Sequence, residues 1–254
     1  MLYIGVDLGT SAVKLLLMDG SGRIHKVVSR EYPLYFPHPG WSEQNPEDWF
    51  TASMDGMKEL TSECDKSQVA GISFGGQMHG LVTLDEADEV IRPAILWNDG
   101  RSEKETDYLN QTIGKEKLSA YTANIAFTGF TAPKILWMKK NEPENFARIC
   151  RIMLPKDYLA YRLSGSFCTD YSDASGMLLL DVAHKRWSEE MMEMCGITRK
   201  QLPDLYESYQ VVGNLKEELA KELLNYVLDV ASGRKVKSEE AGFHDMAIFK
   251  QGVT

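Results

Sequence analysis

Leu2-Tyr3-Ile4-Gly5-Val6-Asp7-Leu8-Gly9-Thr10-Ser11-Ala12-Val13-Lys14-Leu15-Leu16-Leu17-Met18 holds two short apolar runs, 2–7 and 12–18, separated by four residues. Leu8-Gly9-Thr10-Ser11 has room only for a turn, so the segment predicts an antiparallel hairpin. A second turn, Asp19-Gly20-Ser21-Gly22, leads into 23–36, which is rich in Val, Tyr and Ile and ends at Pro37-His38-Pro39-Gly40. Three consecutive antiparallel strands therefore open the chain. Asn45-Pro46 supplies an N-cap with proline at the first helical position, and Phe50, Met54 and Met57 recur at i, i+4, i+7, predicting a helix over 46–62. Strands resume at 69–74, 81–84 and 94–97. Helices are expected at 101–112, 134–141, 155–164, 189–194 and 216–230, with 170–176 a polar loop. The pattern is α/β throughout, without an internal repeat or a linker-like stretch.

The chain has 254 residues, with 28 Lys+Arg against 37 Asp+Glu and a formal net charge of −9. That balance argues against nucleic-acid binding, which needs basic surface to meet phosphates. A hydrophobic content of 43% with 26% charged residues is that of a soluble globular protein, large enough for one sizeable core or two smaller ones. No apolar run approaches the roughly 18 residues of a membrane span; the best, Val13 to Met18, contains Lys14. Asp7 interrupts any amino-terminal leader, so a cytoplasmic setting is expected. Cys64, Cys150, Cys168 and Cys195 never form a C-x-x-C pair, which points to reduced, buried thiols and to neither a zinc site nor a disulfide framework. Met191, Met192 and Met194 read as core filler on a short helix.

Three clusters have the residue types of a ligand site. Asp7-Leu8-Gly9-Thr10-Ser11 ends a buried strand with a carboxylate and a turn of small hydroxylated residues. Its amides and hydroxyls can donate to phosphate while Asp7 holds a hydrated Mg2+; alternatively it is a plain hairpin turn. Gly75-Gly76-Gln77-Met78-His79-Gly80 follows a strand and lets backbone approach a small polar ligand, with Gln77 and His79 as partners; alternatively it is a tight turn with a surface histidine. Trp97-Asn98-Asp99-Gly100-Arg101 combines a ring for a sugar's C–H face with polar groups for its hydroxyls. The alternative there is a loop in which Asp99 caps the next helix and Arg101 is solvated.

In these clusters the sequence resembles the amino-terminal half of the FGGY carbohydrate kinases, in the form seen in the xylulokinase branch. The resemblance runs in order through Tyr3 to Ser11, Pro39 to Pro46, Gly76 to Gly80, Ala94 to Arg101, Phe130 to Lys134, Leu154 to Tyr158 and Thr169 to Gly176, spanning about residues 2–222. The Asp-x-Gly-Thr turn alone is shared with actin, heat-shock chaperones and hexokinases; Gly-Gln-Met-His-Gly with Trp-Asn-Asp-Gly-Arg is more specific. The resemblance implies a ribonuclease-H-like fold of the actin-like ATPase superfamily, a mixed sheet flanked by helices. It implies ATP-dependent phosphorylation of D-xylulose to D-xylulose 5-phosphate, with ATP and Mg2+ as cofactors. Asp7 would organise Mg2+, and Gly9, Thr10 and Ser11 would face phosphate. Gln77, Met78 and His79 would meet the pentulose, with Trp97, Asn98, Asp99 and Arg101 lining or shaping its pocket. Lys14 reads as an outward strand residue. The expected partner is a small-molecule pentulose, with no nucleic acid, no membrane and a possible homodimer.

Beyond about residue 222 the family pattern breaks. The ATP-binding second domain and the Gly-x-x-Asp-Asn-Ala type segment with the catalytic base are expected there, and 225–254 contains no aspartate followed by asparagine. Ala231 to Lys235 and Ser238 to Phe243 instead resemble the carboxyl-terminal tail of altronate or galactarate dehydratases. The expected division is therefore a sugar-binding domain over 1–222 and an atypical tail over 223–254, with residues 231–254 extended or poorly ordered. A chain so built is expected to have little or no turnover alone. The alternatives are a non-catalytic pentulose-binding module and a self-associating kinase fragment.

Overall fold

The computed structural model describes residues 1–223 and 247–250. The hairpin forms as expected, as β1 (Leu2–Leu8) and β2 (Ala12–Asp19), and β3 (Ile24–Glu31) pairs antiparallel with β2. β3 stops short of 36 because Pro33 cannot donate to a ladder. After β4 (Glu43–Gln44), helix α1 (Pro46–Leu60) starts at the predicted proline, with the Asn45 side chain accepting from the Glu47 amide. β5 (Val69–Gly76) runs parallel to β1. Alternation in β1 and β2 buries Ile4, Val6, Leu8, Val13, Leu15 and Leu17 on one face, against Trp49, Met54, Met57 and Leu60 of α1. Each such side chain contributes roughly 1.5–3 kcal/mol by leaving water.

The middle of the chain builds a second core. Short strands β6 (Val82–Leu84) and β7 (Ala94–Ile95) lead to α2 (Glu103–Asp107), which runs through π-helical turns over Tyr108–Gly114 into α3 (Lys115–Thr122). The single helix expected over 101–112 is thus longer and irregular, and α3 lay outside it. α4 (Thr131–Asn141), α5 (Pro143–Ala147), β8 (Arg151–Met153) and α6 (Pro155–Ser164) follow, the last with the predicted bounds and a left-handed Gly165 after it. The segment expected as a polar loop is instead β9 (Cys168–Asp170) and a one-turn helix, α7 (Tyr171–Ser175), capped by the Asp170 carboxylate on the Asp173 amide. β10 (Leu180–Asp181), β11 (Arg186–Trp187), α8 (Glu189–Cys195), β12 (Asp204–Tyr206) and β13 (Val211–Asn214) complete this part. Leu109, Leu118, Ile135, Met177, Leu179 and Met191 fill its core, with Met192 and Met194 packed at the edge as core filler.

The main sheet has six strands in the order β13, β14 (Ala247–Lys250), β5, β1, β2, β3, with β14 parallel to β5 and antiparallel to β13. It is the mixed sheet flanked by helices that the sequence predicts. Within the tail expected to be extended or poorly ordered over 231–254, Ala247–Lys250 is an internal strand of this sheet. The helix expected over 216–230 occupies 217–223 among the described residues; the rest of that expectation, and residues 231–246 and 251–254, lie outside them. All four cysteines are reduced thiols; Cys168 and Cys195 are buried as expected, whereas Cys64 and Cys150 are half-buried. No helix among the described residues is long and apolar enough to cross a membrane.

Candidate functional site

The parallel pair β1 and β5 ends in two loops side by side, since Leu8 is in register with Gly76 and the Gln77 amide donates to the Leu8 carbonyl at 2.7 Å. This topology brings the Asp7 turn and the Gln77 to His79 segment together. The hairpin turn is closed by the Gly9 N–H, which donates to the Ala12 carbonyl at 3.1 Å. Gly9 therefore supplies space, while the amides of Thr10 and Ser11 make no hydrogen bond among the described residues. Asp7 is exposed at the strand end, and its carboxylate has neither a hydrogen bond nor an ion pair among the described residues. Lys14, opposite Asp7 in register, is exposed as expected.

Gln44 braces this turn from below. Fully buried, it donates to the carbonyls of Thr10 at 2.7 Å and Pro33 at 3.2 Å, and its own oxygen accepts from Trp49 Nε1 at 3.1 Å and Gln77 Nε2 at 3.0 Å. Tyr32 O–H donates to the Gly9 carbonyl. Gln77 is thus engaged with the turn's scaffold. Gln44 belongs to the Pro39 to Pro46 stretch, but its place beneath the turn is set by a contact 34 residues away that spacing does not reveal.

His79 has a left-handed backbone, φ +67°, a conformation that a non-glycine residue holds only when its surroundings fix it. Four contacts do so. Its Nδ1 lies 2.9 Å from the Gly176 carbonyl, its ring stacks on Phe130 with centroids 4.8 Å apart, its carbonyl accepts from Thr131 Oγ1 at 3.0 Å, and the Gly80 amide that follows bonds Met78. Burial lowers its pKa below the ordinary value, with Lys134 nearby adding to the effect. Lys134, fully buried, donates to the carbonyls of Thr128, Gly129 and Phe130 and locks the loop that carries the stacking ring.

The Trp97 to Arg101 loop divides by direction. Trp97 and Asn98 are exposed, and Trp97 Nε1 donates to Thr10 Oγ1 at 3.1 Å. Asp99 and Arg101 point inward. Asp99 accepts from the Ser42 amide at 2.6 Å, the Arg101 amide at 2.9 Å and, in a bidentate fork, Arg101 Nε at 2.8 Å and Nη2 at 2.7 Å. Arg101 also pairs with Glu43 and lies over the Trp41 ring, 3.8 Å from its centroid. The alternative of a solvated Arg101 is therefore not what forms; the pair shapes the loop from beneath. The Gly129 turn packs so closely on Trp97 that a Cβ there would stand 2.7 Å from the Trp97 carbonyl, and Phe127 beside it is half exposed. Phe127, Phe130, Thr131 and Gly176 extend the site beyond the expected residues.

A family model described as the FGGY family of carbohydrate kinases, N-terminal domain, matches residues 2–235, thirteen residues past the expected boundary at 222. The chain is 43% identical over 220 residues to a xylulose kinase of Escherichia coli, covering 87% of this chain and 45% of that protein. It is 46% identical over 238 residues to a xylulose kinase of Lactococcus lactis, covering 92% and 47%. Among solved structures, one of a "xyloylose kinase" from Brucella ovis superposes with a TM-score of 0.85 at 37% identity, covering 99% of this chain and 48% of that one. The chain spans about half the length of the curated relatives it matches. The shared fold is the ribonuclease-H-like one of the actin-like ATPase superfamily. With its family model matched over most of its length, this chain belongs to the FGGY family of carbohydrate kinases.

Proposed function

We propose that the chain is the sugar-binding half of a xylulokinase-type kinase, which transfers the γ-phosphate of ATP to D-xylulose and yields D-xylulose 5-phosphate. The observation that carries this reading is the Trp97 Nε1 to Thr10 Oγ1 hydrogen bond, which ties the sugar-facing loop to the phosphate-facing turn. Phosphoryl transfer depends chiefly on positioning and charge neutralisation, so a fixed separation between hydroxyl and phosphate is what such a site must provide. In this reading Met78 and His79 meet the pentulose, Trp97 and Asn98 line its pocket, and Asp99, Arg101 and Gln77 hold those residues in place. Thr10 and Ser11 donate amides and hydroxyls to phosphate.

The unpartnered Asp7 carboxylate fits a hydrated Mg2+, whereas no group of three or more ligating side chains among the described residues forms a cage. When bound with ATP, Mg2+ would neutralise phosphate charge. The resemblance assigns the ATP-binding domain and the base to the half of the relatives that this chain does not match. The 254-residue chain is accordingly expected to release little or no ADP from MgATP with D-xylulose, D-ribulose or L-ribulose. D-xylulose-dependent release that disappears in Asp7→Ala would overturn that expectation. Pentulose binding without any release would leave a non-catalytic binding module.

A second reading, a self-associating kinase fragment and possible homodimer, is supported by the sheet face opposite α1. There Tyr3, Leu16, Met18 and Val27 line a cavity of about 540 Å³, with Val27 58% exposed. A monodisperse monomer in sedimentation would remove it. A cytoplasmic setting belongs to the same proposal, through the kinase's soluble substrates.

A further inference from the structure

Gly176 closes α7 with φ −79° and ψ −4°, ordinary right-handed geometry that any residue adopts. The backbone does not require glycine here; the space does. A Cβ at this position would overlap His79 Cε1 and stand 2.6 Å from Nδ1. The Gly176 carbonyl meanwhile lies 2.9 Å from that same Nδ1. A carbonyl only accepts, so Nδ1 carries the proton, and a neutral ring then has a bare lone pair on Nε2. Nε2 has no hydrogen-bond partner among the described residues.

We propose that Gly176 is a positioning residue of the sugar site: its carbonyl and its missing side chain seat the His79 imidazole so that Nε2 accepts a hydrogen bond from a ligand hydroxyl. This rests on the reading of His79 as a pentulose contact. It deepens that reading by naming the ligand group, because a hydroxyl can donate to Nε2 and a carbonyl oxygen cannot. The seat is itself anchored. The Gly176 amide donates to the Asp173 carbonyl at 3.0 Å, and the Asp173 and Asp170 carboxylates lie 2.9 and 2.6 Å from Lys156 Nζ, all fully buried. Burial opposes the Lys156 charge, but the Asp157 and Asp170 carboxylates outweigh it and hold the ammonium above its ordinary range. α7 is thereby pinned to α6, and the carbonyl at its end has a fixed place.

The test titrates D-xylulose calorimetrically into the 254-residue chain and its Gly176→Ala, His79→Ala and doubly substituted variants, with nitrogen-15 imidazole spectra of His79. Gly176→Ala is expected to weaken binding about tenfold, the factor that one lost hydrogen bond produces. Its urea midpoint should fall no further than that of His79→Ala, because the added methyl strains the chain only through the ring it displaces. In the His79→Ala background the second substitution should change nothing. The parent spectrum should show a protonated Nδ1 and a bare Nε2, a pattern lost in Gly176→Ala. Unchanged affinity with an unchanged spectrum overturns the proposal, as does a further tenfold loss in the His79→Ala background. So does a midpoint below that of His79→Ala, which would mean that glycine serves the backbone. If the parent binds no ketose, the functional reading fails, and the spectra alone still decide whether Gly176 seats the ring.

Discussion

Asp7 and Asp99 are both carboxylates at the ends of apolar strand segments, a few residues from the same hydrogen bond between Thr10 and Trp97. Asp99 is buried with both oxygens engaged by the Ser42 amide and by Arg101. Asp7 is exposed and has no side-chain partner among the described residues. A buried charge persists only when it is paired, so Asp99 is committed to holding its loop. An unpaired carboxylate in water keeps its capacity for a ligand. The same side chain is scaffold in one place and open to a ligand in the other, and saturation of its oxygens tells them apart.

The largest effect that sharpens this contrast belongs to the buried ion cluster around Lys156. Lys156→Met would leave Asp157, Asp170 and Asp173 buried without their ammonium, and urea unfolding at neutral pH should show a loss of about 3–5 kcal/mol. Asp99→Ala should fall at the lower end of that range, about 3 kcal/mol, because Glu43 remains beside Arg101. Trp97→Phe keeps the ring and removes one donor to Thr10, so the same measurement should move by about 1 kcal/mol or less. Asp7→Ala should change stability least, within about 0.5 kcal/mol. Equal losses for Asp7→Ala and Asp99→Ala would break the comparison.

Histidine titration sharpens it further. The folded pKa of His79 lies below the unfolded value of 6.5, so the unfolded chain binds its proton first on acidification. The stability tied to this group is complete above about 6.5 and is lost as pH falls from there toward the folded value. D-xylulose affinity should fall at lower pH still, below the folded value, as Nε2 gains a proton and can no longer accept. Calorimetric titrations from 6.5 downward would show it, and His79→Ala should flatten the dependence.

Much of the fold was legible because it rests on local signals. The hairpin needs only two apolar runs and a short turn, α1 begins at its Asn45-Pro46 cap, and α6 has a proline at one end and Gly165 at the other. What escaped depends on distant partners. Asp170 to Gly176 reads as a loop because Asp and Ser favour turns, yet Asp170 caps α7 and Lys156 clamps it from fourteen residues away. Lys134 and Lys156 give no hint of complete burial, since lysine is almost never interior unless paired. The strand at Ala247–Lys250 is fixed by its neighbours in the sheet and not by its own composition. At the site, motif spacing brought Asp7, His79 and Trp97 forward, but not the outward and inward division of the Trp97 loop or the seat beneath His79. Both follow from packing in three dimensions.

The central claim is that this half of the kinase holds a pentulose through His79 and the Trp97 loop. Calorimetric titration of D-xylulose, D-ribulose and L-ribulose into the 254-residue chain, without nucleotide, tests it most directly. The account predicts saturable heat with D-xylulose whose affinity falls about tenfold or more in His79→Ala, a variant that still unfolds cooperatively. Absence of heat and of any stabilisation with all three ketoses would contradict it.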